Sequence, residues 1–109
     1  ESFAQKLLKI VELKAVINKA KFVELKVCAK ISDFLKENFV NDLTYFEKKN
    51  KITIDIISEN SLIIPEYIID LQNKSKKTIE KIEKFSQLYK TKDFIKNYEK
   101  EEKKIPKKN

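Results

Sequence analysis

Residues 51–71 read KITIDIISENSLIIPEYIIDL. Ile52, Ile54 and Ile56 alternate with Thr53 and Asp55, the period-two pattern of a half-buried strand. Pro65 punctuates a turn, and Tyr67 to Leu71 offers a second strand. Between the two runs Leu62, Ile63 and Ile64 stand in a row beside the proline. Three consecutive large apolar side chains are rarely left in water, so they either fold back onto the core or meet a partner.

Upstream, Ser2 with Gln5 three residues later fits a capping box at a helix start. Phe3, Leu7, Val11 and Ala15 recur at helical spacing, widened by Leu8, Ile10 and Ile17, and predict a helix from about Phe3 to Asn18. Val23, Leu25 and Val27 alternate with Glu24 and Lys26 as a strand. Ser32 then caps a second helix through Leu35, Phe39, Leu43 and Phe46, ended by Asn50 and Lys51. The order helix-strand-helix-strand-strand predicts an α+β two-layer sandwich over residues 1–73, because three short strands need helices to cover one face.

Residues 74–109 read as a separate Lys-rich tail. Ile79, Ile82, Phe85 and Tyr89 recur at helical spacing, with Leu88 alongside and a weaker continuation at Phe94, Ile95 and Tyr98. The segment reads as a basic amphipathic helix, and past residue 100 as a disordered end that is almost wholly charged. The charge follows the same division. Residues 1–73 carry 11 Lys against 11 acids, whereas residues 74–109 carry 13 Lys against 6, which is the entire net charge of +7.

Absences narrow the function classes. The chain has no Gly, His, Met or Trp, one Cys, and only Lys among its 24 basic residues. Without Gly there is no phosphate-cradling loop and no Gly-rich dinucleotide turn. Without His, and with Cys28 alone, the usual zinc ligand sets and the Ser/His or Cys/His nucleophile pairs are excluded. A lone Cys28 forms no intramolecular disulfide and suits a reducing compartment. No apolar run is long enough for a membrane span or a signal peptide, and a chain opening on Glu1 reads as part of something longer.

Glu1 and Ser2, Leu8 and Ile10, then Val23, Leu25 and Val27, then Ile31, Ser32, Phe34, Leu35, Asn38 and Glu47, then Ile52, Ile54, Ile56, Leu62, Pro65 and Tyr67 form an ordered series across residues 1–71. In that order and spacing the chain resembles the small domain of the ribonuclease E/G family of bacterial endoribonucleases. Phe39 and Val40 stand where that family usually carries a Lys-Arg pair. The resemblance implies a cytoplasmic parent enzyme acting in RNA processing and decay. It also implies that magnesium and zinc are bound by segments upstream of this one, and that the small domain supports a homodimer or higher oligomer without a catalytic or metal site of its own.

Asp55, Glu59, Glu66 and Asp70 are the carboxylates closest to a catalytic grouping, but alternation with buried isoleucines already accounts for them. Cys28 reads as a small buried hydrophobe. Two candidate surfaces remain. Lys76, Lys77, Lys81, Lys84, Lys90 and Lys92 surround the tail stripe and could attract RNA phosphates, though lysine lacks the bidentate fork of arginine. Leu62, Ile63 and Ile64 could form an interface. The alternative functions are a stand-alone helical interaction protein and an independent nucleic-acid-binding module. A KH-type module would need a Gly-x-x-Gly loop that this chain lacks.

Overall fold

The structure is a computed structural model that describes residues 2–86. Helix α1 (Phe3–Ile17) begins as the capping box requires: the Gln5 N–H donates to Ser2 Oγ at 3.2 Å, and the Ser2 N–H donates to Gln5 Oε1 at 3.0 Å. Ala4, Leu7, Leu8, Val11 and Ala15 form its buried face. Strand β1 (Phe22–Val27) follows, then α2 (Ala29–Asn38), α3 (Val40–Asn50), β2 (Thr53–Ser58), β3 (Tyr67–Gln72) and β4 (Thr78–Lys84).

The four strands form one mixed sheet in the order β2-β1-β3-β4. β1 runs parallel to β2 and antiparallel to β3, and β3 is antiparallel to β4. Val23, Leu25 and Val27 of β1 and Tyr67, Ile69 and Leu71 of β3 share the core with Leu7, Val11 and Ala15 of α1 and Leu35 of α2. The fold is thus α+β, and its two central strands are those that fully bury alternate side chains.

The helix expected from Ser32 to Asn50 is two helices. It starts earlier, with Cys28 at the N-cap position, and breaks at Phe39 (φ −124°, ψ 19°). A single helix of that length would run roughly 30 Å, whereas six-residue strands span about 20 Å. The break lets α3 pack against both α2 and β2. Ser32, expected at the cap, lies one turn inside α2. It is buried, and its Oγ has no hydrogen-bond partner among the described residues.

The larger correction concerns the tail. Over Thr78–Lys84 the expected amphipathic helix is a strand, and the sheet crosses the boundary drawn at residue 73. A glycine-free hairpin turns the chain: Asn73 Oδ1 accepts from the Ser75 N–H at 2.9 Å and the Lys77 N–H at 3.0 Å, and Lys76 takes a left-handed φ of 63°. Ile82 then falls opposite Ile69, while the pairing skips Ile79 in a bulge. That extra residue spaces Ile79 and Ile82 by three and imitates a helical stripe. Leu88, Tyr89 and the rest of that stripe lie outside the described residues.

Three helix ends reuse one device. The Asn18, Asn38 and Asn50 side chains each donate Nδ2 to the carbonyl four residues earlier, on Lys14, Phe34 and Phe46. In a chain without Gly, the left-handed positions fall to Lys19, Lys51 and Lys76. A Cβ in that region costs about 1–2 kcal/mol. Lys51→Gly is therefore expected to stabilise the fold by about 0.5–1 kcal/mol, after the greater freedom of an unfolded glycine is deducted. Urea titration reads the change as a higher midpoint at unchanged slope.

Candidate functional site

The structure scatters the expected basic stripe. Lys76 and Lys77 sit in the β3–β4 hairpin, where the Lys76 ammonium lies 4.8 Å from the centre of the Phe22 ring. Lys81 is on the sheet face away from the helices, with its Nζ 4.0 Å from Glu83. Lys84 ends β4 about 20 Å from the hairpin, by strand rise alone. Glu80 and Glu83 interrupt the series, and Lys90 and Lys92 lie outside the described residues. What spacing alone assembled as one face is therefore a strand of alternating sign.

The apolar triplet splits. Leu62 is 4% exposed and folds back onto the core, whereas Ile63 and Ile64 are each 47% exposed. The loop that presents them, closed by a cis Ile64–Pro65 peptide, is built around Glu66. This carboxylate is 2% exposed. Its Oε1 accepts from the Ile63 N–H at 2.9 Å, and its Oε2 accepts from the Ser86 N–H at 3.0 Å and the Ser86 hydroxyl at 3.2 Å. Burial by itself raises the Glu66 pKa, but these three donors outweigh it and hold the carboxyl below its ordinary value. Glu66, one of the four carboxylates that the sequence explains by alternation with isoleucines, is buried and forms a structural clasp. It joins the β2–β3 loop to the residues just after β4.

The other three do not converge with it. Asp55 and Asp70 flank Glu24 across the sheet, one on each side of β1. Asp70 accepts from the Thr78 hydroxyl at 2.8 Å and from Gln72 Nε2 at 3.2 Å. Glu59 accepts from the Ser61 hydroxyl at 3.1 Å in the following loop. No group of three or more His, Cys, Asp or Glu among the described residues is arranged to hold a metal ion. Cys28, half-buried at the start of α2, offers no ligand set for zinc.

Sequence reasoning missed a cleft between α1 and α3, about 530 Å³ in volume, with Glu12, Asp42, Tyr45 and Lys49 among its lining residues. Burial, and then the charge of Asp42, push the Glu12 pKa up. Lys49 lies 5.8 Å from the centre of the Tyr45 ring. The cleft is lined by two helices far apart in sequence, so no local pattern announced it. Among the described residues no helix is long and apolar enough to cross a membrane. No protein-family model matches the chain, and no curated protein does.

The clasp has a defined pH signature. Because the folded-state pKa of Glu66 is depressed, its stabilisation is present above the ordinary value of 4.5 and is lost as pH falls through the lower folded value. Glu66→Ala orphans the Ile63 and Ser86 donors and is expected to cost about 2–4 kcal/mol at neutral pH. Denaturant unfolding of both proteins between pH 7 and pH 3 should show this difference shrinking once the pH drops below 4.5.

Proposed function

We propose that this chain is the C-terminal structural and oligomerisation region of a ribonuclease E/G-like endoribonuclease of RNA processing and decay, working in the cytoplasm and lacking the cutting site itself. One observation carries the reading. Many of the residues that make the resemblance have structural duties, although Phe34 is 42% exposed. Ser2 caps α1, Val23, Leu25, Val27 and Leu35 are fully buried, and Tyr67 opens β3 in the core. Glu47 reaches from α3 to accept the Ile54 N–H of β2 at 2.8 Å.

The dispersal of the carboxylates supports a structural role, and the exposed apolar side chains support self-association. Ile63 and Ile64 project from the loop held by Glu66, and Leu13, Val16 and Ile17 lie exposed on α1. By the resemblance, the upstream segments hold magnesium for hydrolysis of the RNA phosphodiester and zinc for linkage. This region helps hold such catalytic units together in a dimer or larger homo-oligomer. The Lys-rich C-terminal residues add weak RNA contacts without base recognition.

Two experiments test this reading. The pure chain is expected to sediment as a dimer at micromolar concentration and to leave a fluorescent single-stranded RNA intact in magnesium. A monomer with unchanged thermal stability across a hundredfold dilution, or magnesium-dependent cleavage abolished by Asp55→Ala, would overturn it. Separately, RNA affinity should fall steeply with salt, as counterion release requires. It should be lost when residues 87–109, with 8 Lys against 4 acids, are removed. If residues 1–86 hold RNA as well as the whole chain, the C-terminal contact is wrong.

A further inference from the structure

The two edges of the sheet are finished differently. At the β2 edge the outward-facing Ile54 N–H is taken by the Glu47 carboxylate, and α3 packs beside the strand. At the other edge lies β4, which pairs with β3 alone among the described residues. Its run Glu80, Lys81, Ile82, Glu83, Lys84 lies beyond the bulge at Ile79, so its side chains alternate regularly between the two faces. Charged side chains on an edge strand usually discourage pairing. Here the order of the signs does the opposite.

Consider two copies joined antiparallel through β4, about a two-fold axis normal to the sheet. Facing side chains must lie on the same face, so the axis passes through one residue and its copy. Centred on Lys81, the pairing sets lysine against lysine, and centred on Glu80 or Glu83 it sets glutamate against glutamate. Centred on Ile82, it puts Glu80 opposite Lys84 and Lys81 opposite Glu83, twice each, with Ile82 against Ile82. Every charge in the run then meets the opposite sign. Ile82 is half-buried against the core on the helix-bearing face, so its copy would extend that core across the join.

We propose that β4 is a self-pairing edge. Two copies of this chain join antiparallel about Ile82, fusing two four-stranded sheets into one of eight strands. The occupant of the edge is a second copy because the strand is electrostatically complementary to itself in a single register. This inference deepens the oligomerisation reading above and rests on it.

The test uses the full chain in sedimentation equilibrium. Lys81 and Glu83 have side chains about half exposed, 49% and 47%, so changing them leaves the core intact. Lys81→Glu alone sets acids against acids at two positions of the join and is expected to raise the dimer dissociation constant at least tenfold. The double change Lys81→Glu with Glu83→Lys exchanges the partners and is expected to restore it. In a Cys28→Ser background, Ile82→Cys should give a disulfide-linked dimer with oxidised glutathione, because directly opposed strand residues lie within disulfide reach. Lys81→Cys should not. A dimer indifferent to Lys81→Glu would overturn the β4 join while leaving self-association through another surface standing. A chain that stays monomeric, as it would if residues 87–109 covered the edge, would overturn both.

Discussion

Burial of the inward side of β1 is the constraint on which everything else rests. Val23, Leu25 and Val27 are each 1% exposed or less. The strand that carries them is hydrogen-bonded on both sides, parallel to β2 and antiparallel to β3. At roughly 25 cal/mol for each Å² of apolar surface removed from water, such side chains supply the largest favourable contribution available to a small core. Covering them requires a helical layer, and α1 and α2 provide it with Leu7, Val11, Ala15 and Leu35. Because β2 must lie parallel to β1, the chain between them has to cross back over the sheet. α2 and α3 are that crossing.

A chain without glycine has to solve its reversals by other means. Among the described residues the three left-handed positions are held by lysines, and the helix ends are closed by asparagine side chains. In the hairpin between β3 and β4, Asn73 accepts two backbone N–H groups and so does with a side chain what a glycine turn does with backbone freedom. Glu66 extends the same solution into the interior, where its carboxylate replaces a backbone partner for both Ile63 and Ser86. A buried charge is tolerated there because three donors surround it.

These devices also place the exposed apolar side chains and the sheet edges. The Glu66 clasp fixes the loop from which Ile63 and Ile64 project, and it anchors the residues just after β4. Glu47 closes one edge of the sheet, while at the other edge β4 pairs with β3 alone among the described residues. The chemistry of the described residues lies, in this sense, in the bonds that side chains make to the backbone. Their polar side chains decide which backbone edges and apolar side chains can meet another molecule.

The sequence by itself determined α1 with its capping box, the β1 and β3 strands, and the α+β class. In each of these the local period coincides with burial in the final core, and local sterics and hydrophobic pattern agree. It also determined, by composition, which catalytic sets cannot exist. Tertiary structure decided the break at Phe39: Asn38 closes α2 with the bond that Asn18 and Asn50 make at the other helix ends, but the apolar stripe runs on past it and only the width of the sheet calls for the stop. It decided β4 as well. The hairpin turns on Asn73 without a glycine, and the bulge at Ile79 breaks the period of two, so the spacing of Ile79, Ile82 and Phe85 favoured a helix. The fates of Leu62, Ile63 and Ile64 differ for the same reason. Three adjacent apolar residues carry identical local information, and only the fold around Glu66 selects which one enters the core.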